Sequence, residues 1–381
     1  MHQALLRRQT IQMTKKVRDP NENPGEQMKI VQITHNDLDG YGASTIAAMA
    51  TRVSAVAHVT RYKDVVETFW SIVQAVKDDE EPTTILMTDI GIERQTALAL
   101  VEGSAILEPK GHRVVVLDHH ASSVGELELV AVRDGNSYAA RGLTAVVDET
   151  MSATSLTYAH AGLYGADGFS DPLCDELCKL VDVVDLWRTG DAHFMRGMAV
   201  NDAFWDMVGT YVPLSHPSHD PFVSSILKDL ASLSLKGASA ADIEDGVNAA
   251  KRKAVDAIAG PDPMRESTSR LRLAAVVASD RTGFAEIQVQ EQATLVTFAM
   301  DMGIFQRVSE ILLEDPSVDL VVNVMRSAGL SLRSRRGQAL KVARAYGGGG
   351  HPNASGGDLG SRKCFSLAEA VALFKSREGS S

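Results

Sequence analysis

From residue 28 onward, short apolar runs alternate with stretches of helical periodicity. MKIVQIT, ending at Thr34, has the β-branched apolar character of a strand, and SAVAHVT (54–60), TTILMT (83–88) and HRVVVL (112–117) repeat it. Helical patterns fall between them, around 42–52, 64–78 and 93–106. Strands that alternate with helices predict a parallel α/β sheet, because parallel neighbours need a crossover connection. Ligand sites in open α/β sheets gather at the carboxyl ends of the strands, so the polar residues there carry the most interest.

Between about 149 and 260 the pattern turns mostly helical, with ETMSATSLTYAHAGLY, DELCKLVDVVDLW and ADIEDGVNAAKRKAVDAIA. Pro261 and Pro263 then mark a boundary. Beyond it LRLAAVVAS, ATLVTFAM, LVVNVM and GLSLRS read as strands, with helices near 304–314, 337–346 and 366–376. The expected organisation is an N-terminal parallel-sheet domain over 28–190, a helical connector over 191–263 and a smaller α/β domain over 264–381. Residues 1–27 read as a disordered leader: the first 18 carry Arg7, Arg8, Lys15, Lys16 and Arg18 with no acidic residue, but no apolar stretch of a secretory signal.

A chain of 381 residues fits two domains of ordinary size, with 44% hydrophobic and 23% charged residues. No apolar run approaches the ~18 residues of a membrane span, so a soluble protein is expected. The net charge of -11 argues against coating long nucleic acid, which is held by surplus Lys and Arg. Three cysteines are too few for a disulfide framework, and Cys174 and Cys178 share a helix face, which suits buried thiols in a reducing, cytoplasmic setting.

The sharpest chemical feature is His35-Asn36-Asp37-Leu38-Asp39-Gly40, directly after the first strand. If the backbone stays extended, residues 35, 37 and 39 point to one side. Neighbouring carboxylates repel and raise one another's pKa, and a divalent cation resolves that conflict. Gly40 and Gly42 would allow a sharp turn into a helix, whose amino end also favours phosphate. Asp89 ends TTILMT, and Asp118-His119-His120 ends HRVVVL. Asp182 and Asp185 share a helix face, with Asp185 favoured as the last ligand and Asp182 left open. Mixed imidazole and carboxylate donors suit Mn²⁺ better than a structural zinc. Taken singly, each feature has an ordinary explanation: a lone strand-end Asp is usually a helix cap, and paired histidines are often surface residues. Their conjunction, in order and at the expected places, carries the argument.

The series HNDLDG, TDIG, LDHH and VVDLW resembles the four motifs of the DHH phosphoesterase superfamily, and GGGGHPNASGG (347–357) resembles its DHHA1 domain. The likeness spans both domains and is nearest to the oligoribonuclease (nano-RNase) and cyclic-nucleotide phosphodiesterase group, including the SATSLTY segment. The resemblance implies two metal ions, usually manganese. It assigns His35, Asp37 and Asp89 to one ion and Asp39, Asp89, His119 and Asp185 to the other, with Asp89 bridging and His120 facing the phosphate. Asp89, His119 and His120 would then carry the catalysis.

From Arg326 through Gly357 there is no acidic residue, but six basic ones: Arg326, Arg333, Arg335, Arg336, Lys341 and Arg344. Arg335 and Arg344 singly read as a solvated face. Arg333, Ser334, Gly349, Gly350, His351 and Asn353 instead match DHHA1 positions that grip substrate phosphate or a terminal nucleotide. A compact basic patch fits short oligonucleotides better than long duplexes. The expected activity is therefore Mn²⁺-dependent hydrolysis of short oligonucleotides to nucleoside monophosphates. Cyclic nucleotides or cyclic dinucleotides are the alternative substrates. Pyrophosphate, polyphosphate or non-catalytic nucleotide binding rank behind, and a homodimer is compatible with the sequence.

Overall fold

A computed structural model of the chain describes residues 29–207, 211–214, 216–262, 267–360, 364 and 366–378. The expected leader, 1–27, lies outside the described residues. The chain forms two compact units: one holds residues up to Ala203 with Leu227–Gly246, and the other holds Phe204–Ile226 with the chain from Val247.

In the first unit the elements follow as β1 (Lys29–His35), α1 (Leu38–Ala50), β2 (Val53–Val59), α2 (Tyr62–Val76), β3 (Thr83–Thr88), α3 (Arg94–Leu107), β4 (Arg113–Asp118) and α4 (Ala121–Glu128). The short strands β5 (Val132–Asp134), β6 (Ser137–Ala140) and β7 (Leu143–Val147) come next, then α5 (Ala153–Ala159) and α6 (Pro172–Asp185). The sheet order is β2-β1-β3-β4-β7-β6-β5. β2, β1, β3, β4 and β7 run parallel, and β6 and β5 extend the sheet antiparallel. The three strands from 132 to 147 were not expected from the sequence: all are short, β5 is exposed at the outer end, and β7 is a buried strand beside β4.

Successive side chains of the central strands feed two different cores. Val31, Ile33, Ile85, Met87, Val114 and Val116 pack with Phe69 and Val73 of α2 and Leu100 of α3. Ile30, Leu86, Val115 and Leu117 pack on the other face with Ala47 of α1 and Leu156 of α5. Both faces being covered explains why these strands read as continuous apolar runs. The chain leaves β1 toward β2 on one side and returns to β3 on the other. The junction of β1 and β3 is therefore the switch point of the sheet, where the loops diverge and leave a crevice.

The helical stretch expected as a connector forms α7 (Phe194–Met207), α8 (His219–Leu235) and α9 (Ala240–Ala259), and the division between the units falls within these helices. In the second unit α10 (Ser269–Ser279), β8 (Ala285–Val289), β9 (Gln292–Phe298), α11 (Met302–Leu312), β10 (Leu320–Val324) and β11 (Gly329–Ser334) precede α12 (Gln338–Ala345), β12 (Gly349–His351), β13 (Ala354–Asp358) and α13 (Leu367–Glu378). Its sheet order is β12-β13-β11-β10-β9-β8.

One expected strand is a helix. LRLAAVVAS lies in α10, where the Thr268 side chain caps the first turn by accepting the Leu271 N–H at 3.2 Å. Leu273, Ala274, Val277 and Ala278 are buried at helical spacing. Its alanines also favour helix over strand. The three cysteines are free and buried. No helix among the described residues is long and apolar enough to cross a membrane.

Candidate metal centre

The first strand delivers His35 at its carboxyl end, and the backbone then turns at once. Asp37 is the N-cap of α1, its Oδ1 accepting the Gly40 N–H at 3.1 Å. A Cβ at Gly40 would lie 2.2 Å from the His35 carbonyl oxygen, so only glycine permits this turn. The expectation that residues 35, 37 and 39 share one side of an extended segment is corrected here: Asp39 sits in the first turn of α1. The cap at Asp37 starts the helix two residues before it.

Asp39 is 2% exposed. Its carboxylate accepts the Ala153 N–H and the Thr154 N–H, each at 2.7 Å, at the start of α5. The Thr154 hydroxyl donates to the Asp39 carbonyl at 2.9 Å. A Cβ at Gly42 would come within 2.2 Å of Thr154 Oγ1, so the glycine is what lets α1 and α5 approach closely enough for these bonds.

Asp89 follows β3 with a φ of 55°, a left-handed conformation that Asp tolerates better than most residues. His119 and His120 follow β4. Together these turns gather the side chains. His35 Nδ1 lies 2.6 Å from Asp37 Oδ2 and 3.8 Å from Asp89 Oδ2. His119 Nε2 lies 3.4 Å from Asp89 Oδ1 and 3.6 Å from Asp39 Oδ2, and its Nδ1 lies 3.4 Å from Asp185 Oδ2. Three sets of donor atoms form, each within 4.8 Å: His35, Asp37 and Asp89; Asp39, His119 and Asp185; and Asp89, His119 and His120. Asp89 and His119 each belong to two sets.

The electrostatics fit a cation. Asp89 is pushed well above the usual carboxylate range, first by burial, then by the negative charges of Asp39 and Asp37. Asp39 is pushed up to about 7 by burial and by Asp185. Burial also raises Asp185, although the facing His119 opposes it. Burial alone would raise Asp37 too, but the His35 hydrogen bond and its companions hold it down at about 2. No N–H or O–H donor among the described residues satisfies Asp89 Oδ2, which is fully buried. An orphaned buried oxygen amid mutually repelling carboxylates and imidazoles is what divalent ions would satisfy. His35, Asp37, Asp39, Asp89, His119 and Asp185 are the residues that would hold them.

The two helix-face aspartates are separated by their partners. Asp185 turns toward His119, whereas Asp182 Oδ1 accepts the Ser152 N–H at 3.0 Å and the Ser155 hydroxyl at 2.7 Å, supporting the start of α5. His120 Nδ1 is 2.7 Å from Asp118 Oδ1, and this bond raises the imidazole pKa against the opposing effect of burial. Asp118 is itself buried and accepts the Ser123 hydroxyl, while Ser123 Oγ accepts the Ile92 N–H at 2.7 Å. Sequence reasoning had given Asp118 no role and passed over Ser123 altogether. A serine in the first turn of α4 carries no signal beyond its place after the paired histidines.

In the second unit, β11 sends alternate residues to opposite faces of the sheet. Arg333 faces α11, with its guanidinium 5.7 Å from the Phe305 ring centroid and its Nη1 donating to the Ser331 hydroxyl and the Leu332 carbonyl. Burial lowers its pKa. It borders a depression of about 220 Å³ lined by Gln306, Ser309, Glu310, Leu313, Ser334 and Arg335. Arg333 pairs with Ala354, and Ala354 with His351, so Arg333 and His351 project from the same face two strands apart. Ser334 Oγ accepts the Ala339 N–H at 2.9 Å, and Asn353 Oδ1 accepts the Gly337 N–H at 2.7 Å, so both side chains build the turn into α12. Gly349 and Gly350 lie exposed on the edge strand β12.

No protein-family model and no curated protein matches the chain. Among solved structures, an uncharacterized protein from Helicobacter pylori superposes with a TM-score of 0.72 at 19% identity, over 93% of this chain and 100% of that one. The two proteins share a fold. DHH-family structures are also among the matches, with much looser superpositions. RecJ from Thermus thermophilus in complex with Mn²⁺ has a TM-score of 0.26 at 15% identity, over 92% of this chain and 51% of RecJ. A pGpG-specific phosphodiesterase from Vibrio cholerae has a TM-score of 0.26 at 13% identity, over 93% of this chain and 100% of that one. At those scores neither bears on the assignment.

Proposed function

We propose that this chain is a metal-dependent phosphodiesterase of the DHH type that hydrolyses short oligonucleotides to nucleoside monophosphates with two divalent ions, Mn²⁺ foremost. The observation that carries the reading is the position of Asp89, buried with one unsatisfied oxygen and shared between a His35/Asp37 set and a His119 set. When bound, such a pair of ions acidifies a water molecule and steadies the attacking and leaving oxygens of an in-line displacement.

The chain's own residues supply the rest. His35, Asp37, Asp39, His119 and Asp185 hold the charge of the ions in fixed positions, and Asp39 is itself held by the start of α5. Asp118 keeps the proton of His120 on Nδ1, so Nε2 is left to face a phosphoryl or leaving oxygen. Arg333 and His351, on one face of the second sheet, bind substrate phosphate, and the main chain of Gly349 and Gly350 offers further donors. Ser334 and Asn353 act by shaping the turn beside them.

Purified protein with Mn²⁺ is incubated with labelled di- to pentanucleotides, 3′,5′-cyclic AMP, pyrophosphate and polyphosphate. Release of mononucleotides from the short oligonucleotides is expected. Hydrolysis confined to the cyclic nucleotide or to the inorganic substrates would replace the substrate assignment, and no hydrolysis of any would sink the enzyme reading.

A further inference from the structure

Helix α6 ends on an aromatic residue where the backbone calls for glycine. The Arg188 N–H donates to the Val183 carbonyl at 2.8 Å and the Trp187 N–H to the Val184 carbonyl at 3.2 Å, the paired bonds of a Schellman cap. Trp187 holds the left-handed position of that cap, with a φ of 53°. Glycine is the usual occupant because a Cβ there crowds the neighbouring carbonyl. A large side chain at such a position ordinarily offsets the strain by burial, yet Trp187 is 66% exposed. Its ring meets half-buried Phe194 edge to face, centroids 5.5 Å apart, which fixes the attitude of the indole and leaves most of it to solvent. Neither the backbone nor the core accounts for a tryptophan here.

Its location does. Trp187 is two residues beyond Asp185, so their Cα atoms lie within about 7 Å of one another. Asp185 in turn is 3.4 Å from His119. The segment is held in place, since Arg188 binds both Asp182 and the Thr150 carbonyl. An exposed aromatic side chain, seated against Phe194, is therefore carried two residues beyond Asp185, a member of the donor cluster. Local strain retained at such a place fits a binding role.

We propose that Trp187 is a base-stacking subsite: the nucleobase attached to the scissile phosphate lies flat against the indole. This rests on the phosphodiesterase reading above and deepens it, because a base-stacking plane selects nucleotides over inorganic phosphate chains. Every base has a π-face, so the subsite tolerates all four.

Two measurements test it on the full-length protein. In steady-state hydrolysis with Mn²⁺, Trp187→Ala is expected to raise KM for a dinucleotide about tenfold with kcat little changed. KM for the same dinucleotide lacking both bases should not move, and Trp187→Phe should restore most of the loss. Trp187→Gly relieves the strained cap, so its melting temperature should equal or exceed the wild type while KM rises as in the alanine variant. That combination separates binding from folding. Independently of turnover, AMP with Mg²⁺ should quench tryptophan fluorescence in the wild type but not in Trp187→Phe, where Trp70 and Trp205 remain.

An unchanged dinucleotide KM in Trp187→Ala overturns the proposal. So does a change in sedimentation mass with KM unaltered, which would make Trp187 a contact between copies of the chain. If the wild type cleaves no diester at all, the phosphodiesterase reading fails instead, and the AMP quench alone then decides the subsite.

Discussion

Asp89 Oδ1 and His119 Nε2 stand 3.4 Å apart at the ends of neighbouring strands, and each residue belongs to two of the three donor sets. The sheet produces this pairing directly. β3 and β4 run parallel with Thr88 beside Leu117, so the residues just beyond them emerge side by side. The Asp89 N–H, bonded to the Leu117 carbonyl at 3.2 Å, ties the two strand ends together.

Asp89→Asn keeps the shape of the side chain and removes its charge. Turnover with Mn²⁺ is expected to fall by at least about a hundredfold, and Mn²⁺ affinity measured by calorimetry should fall with it. The metal-free variant should melt above the metal-free wild type, because a buried carboxylate repelled by Asp37 and Asp39 is gone. Near-normal turnover would contradict the shared position of Asp89.

The metal-free protein should lose stability as the pH rises. Asp39 is held at about 7 in the fold, against an ordinary value of 3.8, so the folded chain binds that proton more tightly than the unfolded one. The stabilising contribution is complete below about 4 and is lost as pH climbs through about 7. Asp89 and Asp185 shift in the same direction. In EDTA the melting temperature should therefore fall between about pH 4 and pH 7. Saturating Mn²⁺ needs the deprotonated carboxylates, so the stabilisation it gives should grow across the same window. A melting temperature in EDTA that rises with pH would refute the electrostatic account.

Much of this centre was legible because parallel strands buried on both faces show as apolar runs, and the residues that end them are polar. GLSLRS and TTILMT matched their strands residue for residue. What failed was local. Asp39 was read as part of an extended segment because the side chain of Asp37, which caps α1, looks the same in a sequence whether it caps or ligates. Asp182 and Asp185 lie on one helix face, and only the partners Ser155 and His119 separate them. LRLAAVVAS is apolar enough for a strand, and the cap at Thr268 that starts its helix lies outside the apolar run.

Ser123 is expected to act on catalysis through Asp118 and His120. Ser123→Ala removes a donor from Asp118 and leaves the Ile92 N–H without its acceptor, at a cost of about 1–3 kcal/mol in stability. With Asp118 free to shift, His120 loses its fixed orientation, and kcat should drop about tenfold while Mn²⁺ affinity stays unchanged. A variant that loses stability but keeps its kcat would leave Ser123 a purely structural residue.

Arg333 and Ser334 are adjacent and both border the depression beside α11, but they should fail differently, because the Ser334 hydroxyl is engaged by the first turn of α12. Ser334 is 5% exposed and accepts the Ala339 N–H in the first turn of α12, so Ser334→Ala should lower stability by about 1 kcal/mol. Its effect on KM should be small. Arg333 shares its face with His351 and borders the open depression beside α11. Arg333→Ala should raise KM for a dinucleotide with little change in kcat, and His351→Ala should do the same. Both should leave Mn²⁺ affinity at wild-type level, since neither belongs to the donor sets around Asp89. Loss of kcat at unchanged KM in Arg333→Ala would place the guanidinium at the reacting phosphate in the transition state alone, and would overturn its assignment as a binding residue.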